Sequence, residues 1–158
     1  MSKAKGKNVP EVVETEPIKV EPEILFGKGK FSLIDNSNYE GDFKEINGIK
    51  YKDGKGIFTI GPESYNGNWS MDVMSGYGEY RFASGAIYKG NFENNQFQGE
   101  GTYIFPDGAT YSGSWSNNRM NGKGTYTTPD LSVFEGEFFN GMYNSGRSYI
   151  SLRGVKKS

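Results

Sequence analysis

Tyr65-Asn-Gly67-Asn-Trp69, Tyr88-Lys-Gly90-Asn-Phe92, Tyr111-Ser-Gly113-Ser-Trp115 and Phe134-Glu-Gly136-Glu-Phe138 are four copies of one phrase. Each places an aromatic ring, a glycine and a second ring at alternate positions. The copies start at 65, 88, 111 and 134, a period of 23 residues. Eleven residues into each of the first three comes a second phrase: Gly76-Tyr-Gly78-Glu-Tyr80, Gly99-Glu-Gly101-Thr-Tyr103 and Gly122-Lys-Gly124-Thr-Tyr126. A fixed period of this length marks a tandem array whose units bury surface only against their neighbours.

Alternation with period two is the strand signal. Tyr65, Gly67 and Trp69 share one face of one strand, and Gly76, Gly78, Tyr80 and Phe82 share one face of the next. The spacing predicts a hairpin with a tip over 70–75, Tyr80 opposite Tyr65, Gly78 opposite Gly67 and Gly76 opposite Trp69. Pairing Phe82 with Tyr88 then sets Gly90 beside Tyr80 and Phe92 beside Gly78, so that most rings flank a glycine. Ala83-Ser-Gly85, Pro106-Asp-Gly108 and Pro129-Asp130 supply the inter-unit turns. The other face is polar: Asn66, Asn68, Glu79, Arg81, Lys89, Asn91 and Ser112 to Ser116 at alternate positions.

Composition agrees with a thin all-β sheet. Hydrophobic residues make up 34% of the 158, mean hydropathy is −0.69, and the apolar content is dominated by 11 Phe, 11 Tyr and 2 Trp among 23 Gly. Aliphatic residues are too few for a two-layer sandwich. Eighteen basic and nineteen acidic residues leave a net charge of −1, so the overall field favours neither nucleic acid nor an anionic membrane. The absence of Cys and His removes disulfides, thiolate and imidazole chemistry and the usual zinc and haem ligands. No cofactor or metal is expected. The basic start, Met1 to Lys7, runs into Pro and Glu and does not read as a secretory signal; no run approaches the ~20 apolar residues of a membrane span.

The chain divides into a charged tail over 1–23, the array over 24–152 and a short basic end over 153–158. In the tail Pro10, Pro17 and Pro22 space five glutamates, and Val12-Val13 and Ile18-Lys-Val20 are apolar steps; it reads either as a solvated extended segment or as one docked on a partner or sheet edge. The array opens with a half unit, Phe26-Gly27-Lys-Gly29-Lys-Phe31. Tyr39-Glu-Gly41-Asp-Phe43 and Gly54-Lys-Gly56-Ile-Phe58 follow, with four extra residues expected to lengthen the tip around Lys44 to Asp53. The last unit degrades: Gly146-Arg-Ser148 comes one residue late, and Tyr149, Ile150 and Leu152 are expected to close the sheet. Arg147, Arg153, Lys156 and Lys157 form a basic end, explained by solvent or by an acidic partner.

Aromatic-x-Gly-x-aromatic, a loop, then Gly-x-Gly-x-aromatic at this period resembles the MORN repeat. The resemblance spans residues 24 to about 150 and implies an elongated, curved, single-layer antiparallel sheet of stacked hairpins. The wording from Ser75 to Phe138 is similar to a small member of that family made of little besides repeats. That likeness implies a ciliary axonemal or other cytoskeletal setting in the cytoplasm.

No catalytic constellation emerges: the carboxylate pairs Glu79 with Glu100 and Glu135 with Glu137 occupy positions that the alternation assigns to solvent. The Gly-x-Gly phrases sit inside strands with no helix after them, so they read as packing glycines and not as phosphate loops. The expected function is a non-catalytic scaffold or adaptor that binds protein partners through its ring face. Tyr65, Trp69, Tyr80, Tyr88, Phe92, Tyr103, Tyr111, Trp115 and Tyr126 are the expected contact rings. Met74, Phe97, Met120 and Tyr143, nine residues into each unit, read either as pins closing the hairpin tips or as a ridge that grips a partner. The alternative function is a phosphoinositide-binding membrane tether, disfavoured because Lys28, Lys30, Lys89, Arg119 and Lys123 are scattered among acids.

Overall fold

The structure is a computed structural model that describes residues 21–150. Hairpin follows hairpin through β1 (Ile24–Ser32), β2 (Asn38–Ile46), β3 (Ile49–Ile60), β4 (Glu63–Ser70), β5 (Val73–Arg81) and β6 (Ile87–Glu93). The meander continues through β7 (Gln96–Ile104), β8 (Thr110–Ser116), β9 (Arg119–Thr127), β10 (Ser132–Phe139) and β11 (Met142–Ile150). All eleven strands form one open antiparallel sheet in sequence order. Residues 1–20 of the expected tail lie outside the described residues, as do Leu152, Arg153, Lys156 and Lys157.

One row across the sheet organises the rest. Gly29, Gly41, Gly56, Gly67, Gly78, Gly90, Gly101, Gly113, Gly124, Gly136 and Gly146 are successive cross-strand partners, one glycine from each strand. Beside it runs a ring row: Phe31, Tyr39, Phe58, Tyr65, Tyr80, Tyr88, Tyr103, Tyr111, Tyr126 and Phe134. This corrects the expected register between units. Tyr80 pairs with Tyr88 and Gly78 with Gly90, because the inter-unit turn is closed by Phe82 N–H to Ala86 O at 3.0 Å and not by Phe82 with Tyr88. Rings thus align with rings and glycines with glycines.

The hairpin register needs a second correction. Gly67 faces Gly78, but beyond it Trp69 faces Met74, not Gly76. A bulge of two extra residues in β5 absorbs the difference, with Gly76 at φ +70° and Asn68 Nδ2 donating to Tyr77 O at 3.0 Å. The next unit repeats it, with Gly99 at φ +68° and Phe92 facing Phe97. In those two units the two glycines of Gly-x-Gly therefore differ in purpose. The first permits a backbone turn that side chains resist, and the second leaves room for a ring.

The tips are shorter than expected. Asn94 and Asn95, at φ 51° and 64°, are the whole connection between β6 and β7, the two-residue turn whose twist suits a hairpin. Asn117-Asn118, Asn140-Gly141, Asn47-Gly48 and Met71-Asp72 follow suit. Adjacent tips clasp one another: Asn95 N–H donates to Met74 O at 3.2 Å, and Met74 N–H returns a bond to Asn95 Oδ1 at 2.8 Å. Asn118 repeats both bonds with Phe97, at 3.2 and 2.7 Å. The extra residues of the first full unit make no loop. They lengthen β2 and β3 by added rungs, Lys44 to Tyr51 and Glu45 to Lys50, and end in the same two-residue turn at Asn47-Gly48. The late last glycine is likewise absorbed, by a register shift between Glu137 and Phe138 that returns Gly146 to Gly136.

Two stability changes are expected. A Cβ at Gly101 would lie 2.6 Å from Tyr88 Cζ, so Gly101→Ala should cost about 1–3 kcal/mol in urea unfolding, while Lys89→Ala on the polar face should change little. Met71 holds φ +47° where the corresponding tips carry Asn, so Met71→Asn should stabilise the chain by roughly 0.5–1 kcal/mol in the same assay.

Candidate partner-binding face

The ring face has two tiers, set by which strand a ring starts from. Tyr65, Tyr88 and Tyr111 begin the first strand of their hairpins and lie down over the glycine of their own strand and of the next. Tyr65 thus covers Gly67 and Gly78, and Tyr88 covers Gly90 and Gly101. Each hydroxyl reaches past the glycine to donate to the backbone oxygen three residues on: Tyr65 to Asn68, Tyr88 to Asn91 and Tyr111 to Ser114, all at 2.9 Å. Tyr39 does the same to Asp42 O at 2.5 Å. A buried phenol keeps its hydrogen bond, which the flat posture requires.

The second aromatic of each phrase wedges edge-on between two of these tyrosines. Trp69 lies 5.0 Å from Tyr65 and 5.8 Å from Tyr39, Phe92 lies 5.1 Å from Tyr88 and 5.0 Å from Tyr65, and Trp115 lies 5.2 Å from Tyr111 and 5.3 Å from Tyr88. Phe138 ends the chain of rings at 4.8 Å from Tyr111. Trp69 and Trp115 also donate Nε1–H to Gly56 O and Gly101 O, at 3.2 and 3.1 Å. Edge-to-face pairs of this kind contribute roughly 0.5–1.5 kcal/mol each beyond area burial, and here they link unit to unit.

Six of the nine expected contact rings, Tyr65, Trp69, Tyr88, Phe92, Tyr111 and Trp115, are consequently buried in the sheet's own fabric. Little of their surface is open to a partner, and of the six only Phe92 and Trp115 line part of the groove described below. Tyr80, Tyr103 and Tyr126 remain half-buried. They lie near the ends of the second strands β5, β7 and β9, where the glycines are already covered, and so they stand above the inner tier. Phe82 and Phe105, absent from the expected set, complete this outer tier: Phe82 lies 4.6 Å from Tyr80 and 5.8 Å from Tyr103, and Phe105 lies 4.7 Å from Tyr103 and 5.7 Å from Tyr126. Their signal in the sequence was the strand parity, which already assigned Phe82 to the ring face.

Met74, Phe97 and Met120 point onto this face and pack against the inner tier. Phe97 stacks on Tyr88 at 3.7 Å with planes 9° apart. Tyr143 is more exposed and edges Phe138 at 5.5 Å. Pinning is therefore visible for Phe97, which at the same time exposes an edge. Between outer tier and tips opens a groove of ≈ 590 Å³, lined by Tyr80, Phe82, Phe97, Tyr103, Phe105 and Met120, with Asn118 and Arg119 on the tip side.

The first full unit is different. Lys52 takes the place that Met74 has in the second, facing Phe43 across the ladder, and its ammonium sits 5.2 Å from the Trp69 ring, 5.6 Å from Phe58 and 5.9 Å from Tyr39. Asp72 Oδ1 holds it from the side at 3.1 Å. A cation over several ring faces replaces the hydrophobic pin.

On the polar face, basic residues meet acids: Lys28 with Asp42 at 3.1 Å, Lys30 with Glu40 at 2.9 Å, Lys89 with Glu79 at 2.9 Å and Arg147 with Glu135 at 3.0 Å. The Lys89 ammonium, aided by Arg81, holds the Glu79 carboxyl below its ordinary value, and Arg147 and Tyr149 do the same for Glu135. Glu100 accepts from Ser114 Oγ at 2.7 Å.

A family model described as MORN repeat matches residues 65–87, 88–110, 111–133 and 134–144, together just over half of the chain. No curated protein matches the chain.

Burial pushes the Tyr65 phenol up to about 12. It does the same for Tyr39 and Tyr111, with smaller contributions from nearby carboxylates, and raises Tyr88 as well. Tyr80 rises to about 12 through burial and its bond to Glu63. These groups favour the folded state fully below their ordinary value of 10.0, and lose that contribution as pH climbs through about 12. Stability should thus fall between those limits. Absorbance at 295 nm should show a group of tyrosines ionising only together with loss of the near-ultraviolet circular dichroism.

Proposed function

The chain belongs to the MORN repeat family, and on that premise we propose that it is a non-catalytic scaffold that holds a protein partner against the outer ring tier. Repeats of this family are protein- and membrane-binding scaffold motifs. The observation that carries the protein-binding reading is the groove. After six rings have closed the inner tier, Tyr80, Phe82, Tyr103 and Phe105 still stand half-buried around an open apolar channel. Contiguous apolar surface of this kind marks an interaction site, and burying one more ring contributes roughly 1.5–3 kcal/mol. The tether reading draws less support, since Lys28, Lys30 and Lys89 spend their charge on adjacent carboxylates.

The setting follows from likeness. Ser75 to Gly90, Phe97 to Ala109 and Glu135 to Phe138 resemble MORN repeat-containing protein 2, a small member associated with ciliated and sperm cells. We assign this chain the same place, a structural part of a ciliary axoneme or another cytoskeletal assembly.

In ciliated cells the tagged chain should sediment with salt-washed axonemes, and Phe82→Ser/Phe105→Ser, destabilised but shown folded at the assay temperature by circular dichroism, should move to the soluble fraction. A wild-type chain found free and monomeric in extract would end the scaffold reading. Salt-sensitive flotation of the purified chain with acidic liposomes would put the membrane tether in its place.

A further inference from the structure

The groove has a chemistry of its own beyond being apolar. Arg119, on the tip side, is the one charged residue that lines it. Among the described residues no carboxylate pairs with that guanidinium, unlike Arg81 and Arg147, which each hold a glutamate. Asn140 Oδ1 of the neighbouring tip accepts one of its N–H groups and steadies it at the rim. The remaining polar groups are largely spent: Asn118 Oδ1 accepts from Phe97 N–H, and the Tyr80 hydroxyl donates to Glu63.

This inventory constrains the occupant's backbone. The groove lies over β5 to β9, all interior strands whose main-chain groups are paired on both sides. No edge is available for strand addition. An extended segment laid across the rings would leave its own N–H and C=O groups facing carbon, at a cost of roughly 1–3 kcal/mol per orphaned group. A helix satisfies them internally. Resting on the scaffold reading above, we propose that the occupant is an amphipathic helix of a partner protein lying across the strands, whose apolar stripe fills the groove and whose Asp or Glu, at the end over β9, pairs with Arg119. Five strands about 4.8 Å apart span ~19 Å, which calls for ~13 helical residues.

The probe is a display library of random 16-residue peptides selected against the purified full chain. Selected peptides should carry apolar residues at helical spacing with an acidic residue toward one end, and synthetic copies should gain helical circular dichroism on binding. Arg119→Glu should weaken them about tenfold, and peptides with the acid changed to Lys should recover that loss on the Arg119→Glu chain alone. Binders that lack an acid, stay non-helical, or bind Arg119→Glu unchanged overturn this inference and leave the scaffold reading in place. A library that yields no binder, or only peptides that bind Phe82→Ser/Phe105→Ser as tightly as wild type, removes the groove from both.

Discussion

A tyrosine ring lying flat on a sheet needs the space where two Cβ atoms would otherwise be, and the glycine row provides it from the first strand to the last. At Gly101 a methyl group would meet the Tyr88 ring, and at Gly90 it would meet both that ring's hydroxyl and the Gly101 backbone. Most of these glycines have ordinary extended φ values, so the demand is for volume and not for unusual backbone. The usual penalty for glycine in a strand is offset by a ring pressed against main chain with its hydroxyl satisfied. A sheet without a second layer acquires a core this way, because the rings of one unit close over the backbone of that unit and wedge against the next.

Period, strand type and sidedness were legible because alternation reports the face of every residue directly. Register was less so. Alternation is indifferent to a shift of two residues, and both misplaced pairings, Gly76 with Trp69 and Phe82 with Tyr88, are off by that amount. The cause inside the hairpin is the bulge at Gly76, and between units it is the turn that closes at Phe82 and Ala86. Asn94-Asn95 and Asn117-Asn118 held the missing information, since paired asparagines at a hairpin tip point to a two-residue turn with positive φ. The same rule read at Asn47-Gly48 would have turned the supposed loop insertion into longer strands.

The candidate face was legible as a face but not as two tiers. Parity places Tyr65 and Tyr80 on one side and gives no ground for separating them. What separates them is precedence on the glycines: Tyr65 covers Gly67 and Gly78, so Tyr80, paired directly with Tyr65, stands higher. A consequence for function follows. Substituting an inner ring removes structure and binding together, whereas Tyr103 or Phe105 can change the surface at smaller cost to the sheet. Repeat number and stability are thus tied to one set of aromatics, and partner choice is free to vary in another.

The groove also has a definite beginning. Were every unit alike, the outer tier would run the full width of the sheet and set no length for what lies on it. Lys52 breaks the run: with its ammonium over the Tyr39, Phe58 and Trp69 rings and against Asp72, it puts a charge where the next units carry Met74, Phe97 and Met120. An apolar segment sliding in that direction would have to displace an ammonium already paired with a carboxylate, losing a contact that a half-desolvated site makes costly to lose. The longer strands of the first unit continue past that lysine toward the tip through the rungs Lys44 to Tyr51 and Glu45 to Lys50. On the proposed reading it is Lys52, and not the added rungs, that would wall off the channel on this side, leaving the middle units to set the length of a segment laid there.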